Sequence, residues 1–192
     1  SVNRPPTVPR WFSEMLPLSF DLAMEINRFR YLMDDRFASK VSRAEMLEFI
    51  HSYLYVDTKA AESIYQYFYE QYNFSAIPSY RKLVIETYVD RGRTYVIFQT
   101  LFGRRVNDCL SRALAFVIGR SQHRDVEVGI SDNGFYLSAE KSFNALRAFT
   151  LLQQEDFRGV LEQSIEKSEV LSRRFRHCAN RSLMILRSYM GR

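Results

Sequence analysis

The sequence predicts an α+β fold, an antiparallel sheet of two hairpins flanked by helices. Three observations carry that prediction. Apolar residues recur every three or four positions in the first third of the chain and again in the last quarter; between them two short runs alternate with period two around Asp-Arg-Gly and Asp-Asn-Gly turns; and one helical segment separates the two runs.

Residues 1–17 hold Pro5, Pro6, Pro9 and Pro17. Proline removes a backbone donor and restricts the residue before it, so this segment reads as an extended arm. Ser19-Phe20-Asp21-Leu22 then opens a helix through Ala23, Ile26, Phe29 and Leu32 or Met33. A second helix follows Ser42 through Met46, Leu47, Phe49, Ile50 and Leu54, and a third follows Asp57, an N-cap candidate, through Ala60, Ala61, Ile64, Tyr67, Phe68 and Gln71.

After Ile77-Pro78-Ser79 the period changes. Residues 83–89 alternate, Asp90-Arg91-Gly92-Arg93 turns the chain, and Tyr95-Val96-Ile97-Phe98 returns it as a hairpin. A helix is expected from about Arg104 to Ile118. Val126, Glu127, Val128 and Ile130 then pass through Ser131-Asp132-Asn133-Gly134 into Phe135-Tyr136-Leu137. From about Glu140 the chain is helical, ending in a long helix over about Ile165–Tyr189. Its stripe of Leu171, Phe175, Cys178, Ser182, Ile185 and Tyr189 is expected to pack, with Arg173, Arg176 and Arg187 opposite. The expected organisation is an arm over 1–17, a helical subdomain over 18–75, a sheet unit over 76–139 and C-terminal helices over 140–192 that pack on it.

The formal net charge is +5, and it is concentrated. The stretch from Val170 to Arg192 contains six arginines and no Asp or Glu, which suits an anionic partner. Cys109 and Cys178 lie among apolar neighbours without a CxxC or His-Cys cluster, so buried thiols in a reducing cytoplasm are expected rather than a disulfide or a metal site. No apolar run approaches the ~20 residues that span a bilayer, and no partner membrane is expected.

The search for chemistry leaves little that is enzymatic. There is no Gly-rich phosphate cradle ending in Lys-Ser/Thr, and His51, His123 and His177 accompany no nucleophile elbow. Glu86, Asp90, Asp125, Glu127 and Asp132 lie on or beside predicted strands, but with turn and solvent-face positions and no ligand spacing they read as local hydrogen-bonding groups rather than a metal site. No catalytic residue, metal or cofactor is expected in this chain.

Phe102-Gly103-Arg104-Arg105-Val106-Asn107 is the most suggestive motif. At a helix start, backbone N–H groups and two guanidinium groups would converge on a phosphate, with Asn107 and Arg112 within about two turns. The alternative is a tight glycine turn beside two solvated arginines. Trp11, the single tryptophan, either stacks on a base or anchors the arm to the core. Tyr65, Tyr67, Tyr69 and Tyr72 invite the same stacking reading and are more ordinary as core and interface residues.

Several stretches in order resemble the region that follows the motor in archaeal-type Lhr (large helicase-related) helicases of superfamily 2. They are Pro9-Arg10-Trp11 with Glu14 and Leu16 to Ala23, Ile77-Pro78-Ser79, Phe102 to Asp108 with Leu110-Ser111-Arg112-Ala113, Ser131 to Phe135, and Arg174 to Cys178 with Arg181 to Leu186. Ser13 and Tyr80 depart from that pattern, where a glycine and an acidic residue are commoner. The resemblance implies a segment C-terminal to two RecA-like domains and a winged-helix domain. In the family those motor domains, not this segment, hold ATP and magnesium, and they move 3′ to 5′ and unwind duplexes. It further implies that this segment completes the channel for the tracking strand and that the parent acts in DNA repair. By the same resemblance Trp11, Arg104, Arg105, Asn107 and Arg112 become candidate contacts to single-stranded DNA or a DNA/RNA duplex, with Arg173 and Arg176 added from the basic helix. The rival expectation is a structural module that docks on the motor and winged-helix domains without touching nucleic acid.

Overall fold

The computed structural model describes residues 17–166 and 169–184. Three helices come first: α1 (Phe20–Ala38), α2 (Arg43–Leu54) and α3 (Thr58–Phe74). Each begins where a side-chain oxygen meets an otherwise unpartnered N–H of the first turn. Ser19 accepts from Leu22 N, Ser42 from Glu45 N, and Asp57 from Ala60 N. At α2 the cap is reciprocal, because Glu45 also accepts from the Ser42 backbone, and these Ser42 bonds, the side-chain one foremost, lower the Glu45 pKa. The three helices close on a core of Phe29, Met33, Met46, Ile50, Ala61 and Phe68, completed by Ile77. Leu22 and Ile26, expected on the packing face of α1, stay substantially exposed.

The second half is built on a sheet of β1 (Val84–Asp90), β2 (Arg93–Gln99), β3 (Glu127–Ser131) and β4 (Gly134–Ala139). All neighbours are antiparallel, in the order β1-β2-β4-β3, so the two expected hairpins join through β2 and β4. The helix between them, α4 (Arg104–Gln122), lies on one face, where Leu114, Val117 and Ile118 are fully buried with Val96, Phe98, Phe135 and Leu137. Phe98 and Phe135 stack across the central strands at 4.7 Å. Helices α5 (Ala145–Gln154) and α6 (Phe157–Glu166) cover α4.

The last described helix, α7 (Glu169–Arg181), differs from expectation in two ways. Ile165 belongs to α6, and the helix ends at Arg181 in a turn where Leu183 has a φ of 58°. The face expected to pack is open: Leu171 is 43% and Phe175 64% exposed, Cys178 is exposed too, and Ala179 is the buried contact. Cys178 is therefore not a buried thiol, and Cys109 is half-buried. Ile185, Arg187 and Tyr189 lie outside the described residues. Among the described residues no helix is long and apolar enough to cross a membrane.

Candidate nucleic-acid interface

The two halves meet where α4 begins. Gly103 adopts a φ of 84°, a left-handed conformation that glycine enters without the Cβ clash other residues suffer. Space demands glycine as well, since a Cβ there would sit 2.9 Å from the Leu18 carbonyl oxygen. The chain entering α1 thus lies directly on the turn entering α4.

Asp132, in the β3–β4 turn, fastens the two together. Its carboxylate oxygen Oδ1 accepts from Leu18 N at 3.1 Å and from Arg104 N at 2.9 Å, and its carbonyl accepts from Gly103 N at 3.1 Å. A carboxylate at a helix N-terminus is favoured by the positive end of the helix dipole. The phosphate cradle expected at this N-terminus is narrowed: the protein's own carboxylate occupies the first N–H of α4.

Asn107 is also corrected. It is fully buried, and its amide is spent inside the protein, donating to the Ser131 and Asp132 carbonyls at 2.9 and 3.2 Å and accepting from Thr100 Oγ1 at 2.8 Å. A nucleic-acid strand cannot reach it. Its work is to hold the β3–β4 turn, and hence Asp132, against α4. Asn27, equally buried, donates to the Leu101 carbonyl at 2.7 Å and ties the middle of α1 to the same junction.

What remains for an outside ligand is side-chain charge. Arg104 and Arg105 are exposed, and neither has a carboxylate within ion-pair distance among the described residues. Arg112 stands about 10 Å further along α4 at 1.5 Å per residue, half-buried and paired with Asp108 at 2.7 Å, so part of its charge is already answered. Arg176 is exposed on α7, which packs on α6, and no hydrogen bond or ion pair among the described residues links it to the start of α4. Trp11 and the side chain of Arg173 lie outside the described residues. The structure therefore sets Arg104 and Arg105 at the head of α4 beside Leu18, with Arg112 further along the same helix and Arg176 on another.

The strand-borne carboxylates do not assemble. Glu127 pairs with Arg93 at 2.8 Å, a bond that raises the Arg93 pKa, Asp132 caps α4, and among the described residues no three metal-ligating side chains converge. Asp132 is the residue whose role the sequence did not disclose. The turn was legible, but a hydrogen bond to Leu18, 114 positions away, leaves no local pattern.

Comparison with known proteins agrees with this architecture. Residues 77–192 match the family model described as DEAD/H associated, which places the chain in a class of helicase-associated α+β domains. The chain belongs to the DEAD/H associated family, and the resemblance to Lhr-type helicases stands. It is 55% identical over 188 residues to the ATP-dependent helicase Lhr-Core of Methanothermobacter thermautotrophicus, covering 97% of this chain and 22% of that protein. It is 40% identical over 199 residues to the ATP-dependent helicase Lhr-Core of Saccharolobus solfataricus, covering 100% of this chain and 23% of that protein. The chain therefore spans about a fifth of the length of these relatives. The fold is shared with the solved structure of Mycobacterium smegmatis helicase Lhr bound to ssDNA and AMP-PNP, at a TM-score of 0.71 and 20% identity over 97% of this chain and 23% of that one.

Proposed function

We propose that this chain is an accessory domain of a Lhr-type ATP-dependent helicase and grips single-stranded nucleic acid at the start of α4. In this reading it lines the channel through which motor and winged-helix domains beyond this chain draw a strand 3′ to 5′. The observation that carries it is the Asp132 clasp, which holds Arg104 and Arg105 beside Leu18, the root of the arm that bears Trp11. Leu18 lies seven positions after Trp11, so chain length allows the indole to stand anywhere within about 25 Å of that root. Exposed guanidinium groups supply sequence-independent attraction to phosphates, and an indole supplies a stacking surface that every base can use. The solved relative that shares the fold is a complex with ssDNA, which favours this partner. Nothing in the proposed grip requires a cofactor of its own; ATP and magnesium would act in the motor.

Fluorescence anisotropy of a labelled single-stranded oligonucleotide tests it. Replacing Arg104 and Arg105 together by alanine is expected to weaken binding at low salt by at least about tenfold, and Trp11→Ala by about tenfold. The arginine variant should fold, since exposed side chains outside the core change stability by no more than about 0.5 kcal/mol, and thermal melts check that Trp11→Ala is folded. Equal binding by wild type and both variants would remove the reading.

A second reading has its own support in α7. Its exposed Leu171 and Phe175 lie on the same helix as the exposed Arg174, Arg176 and Arg181, a mixture suited to docking on neighbouring domains of a longer protein. In that reading the basic helix contacts protein, and removing its arginines leaves oligonucleotide binding intact.

A further inference from the structure

Besides the rings of Phe37, Tyr65, Tyr69 and Tyr72, which are anchored on the helical core by Phe37 and Tyr65, two aromatic clusters lie outside the α4 junction. One lies on the sheet face turned away from α4. There Tyr88 and Tyr95, paired in register, stack at 4.8 Å with an interplanar angle of 6°, and Tyr136 follows at 6.0 Å from Tyr95. Register places Glu86, Asp90 and Glu127 on this same face, with Arg93 already engaged by Glu127. The acids outnumber the bases, which repels a phosphodiester backbone.

The other cluster joins α1 to the loop before β1, and its charge has the opposite sign. Tyr31 and Tyr80 meet edge to face at 5.4 Å. The Arg81 guanidinium lies over both rings, 4.8 Å from Tyr31 and 5.4 Å from Tyr80, and donates to the Tyr31 hydroxyl at 3.3 Å. Arg30 braces the loop from the next position on α1 by donating to the Pro78 carbonyl at 3.1 Å. Lys82 pairs with Asp34, whereas Arg30 and Arg81 have no carboxylate partner among the described residues. Tyr80 and Arg81 are exposed. A guanidinium held over aromatic rings keeps its remaining N–H groups for a base or a phosphate.

We propose that the Tyr31–Tyr80–Arg81 cluster is a second contact for single-stranded nucleic acid, taking a base on the exposed Tyr80–Arg81 surface and the adjoining phosphate on Arg81. Helix α1 sets its distance from the first contact. The helix starts at the Asp132 clasp and reaches Tyr31 eleven residues after Phe20, or about 17 Å along its axis at 1.5 Å per residue. That separation corresponds to about five nucleotides at the ~3.4 Å spacing of stacked bases, so a strand a few nucleotides longer than that spans the rise of α1 from the clasp to Tyr31. The inference rests on the proposed grip at α4 for its first contact, and on this cluster's own charge and stacking for the second.

The test uses the length of the ligand. Oligothymidylates of about four and about twelve nucleotides, within the range of single-strand binding sites, are titrated into the wild-type protein and into Arg81→Ala and Tyr80→Ala variants, with Tyr80→Phe as the control that keeps the ring. The longer strand should bind wild type and Tyr80→Phe at least about tenfold more tightly than the shorter, and that gain should fall to about twofold or less in Arg81→Ala and Tyr80→Ala. Circular dichroism and thermal melts confirm that each variant is folded. A length gain that persists in folded Arg81→Ala and Tyr80→Ala overturns the second contact and leaves the first standing. Failure of both lengths to bind wild type at low salt overturns the two together. As a readout that packing alone would not give, 5-iodouracil in the longer strand should photocrosslink to Tyr80 in the wild type; a crosslink map without Tyr80 counts against the proposal.

Discussion

Helices α4 and α7 carry the same kind of apolar spacing, yet the molecule treats them differently. In α4 the stripe of Leu114, Val117 and Ile118 is fully buried between the sheet and α5 and α6, whereas in α7 Phe175 stands 64% exposed. Periodicity reports which side of a helix is apolar; it does not report what covers that side. In α4 the covering surface is built by this chain. On α7, among the described residues, only Ala179 is buried.

Truncation at the two helices should differ most. Leu114→Ala removes a side chain with no exposed surface and is expected to cost about 2–5 kcal/mol, while Phe175→Ala should stay within about 0.5 kcal/mol. Urea unfolding of both variants checks the contrast, and a comparable loss at Phe175 would show that α7 is packed in solution. The polar junction at the head of α4 comes next. Asn107→Leu leaves the Thr100 hydroxyl and two carbonyls without their partner in a buried site, for an expected loss of about 2–3 kcal/mol in the same measurement. Gly103→Ala places a methyl group 2.9 Å from the Leu18 carbonyl at a φ of 84°. It should cost about 1–3 kcal/mol, and hydrogen exchange should show the segment around Leu18 loosening before the sheet does.

The smallest effect is expected at the α2 cap. Glu45 has a folded pKa below its ordinary value because it accepts from the Ser42 hydroxyl and backbone. A depressed carboxylate stabilises the folded state above the unfolded pKa, and the contribution disappears as pH falls through the folded value. Glu45→Gln should therefore remove this small contribution at neutral pH and flatten the stability profile on the acid side of the ordinary carboxylate range, as urea unfolding across pH would show.

These expectations separate what local sequence discloses from what it does not. Ser19, Ser42 and Asp57 begin helices because a short polar oxygen before an apolar-periodic run serves the first-turn N–H groups, and that pattern lies within four residues. The two hairpins were legible for the same reason, each being a turn between alternating runs. Asn107 was legible only as a polar residue near a helix start, where solvent exposure is the ordinary reading; its burial depends on Thr100 and on a turn more than twenty residues away. Asp132 finds Leu18 from 114 residues off, and Arg81 finds Tyr31 from 50. Arginines 104 and 105 were singled out by position beside Gly103, and the structure keeps them exposed while Asp132 takes the first N–H of the helix.

The proposed contact of Arg104 and Arg105 with phosphates at the head of α4 is measured most directly by the slope of binding against salt. Each phosphate neutralised contributes about −0.7 to the slope of log K against log salt for a single strand. Replacing both arginines by alanine is expected to make the slope about 1.4 units shallower while the protein stays folded. A slope unchanged from wild type would contradict it and would assign the positive charge of this chain to contacts with protein.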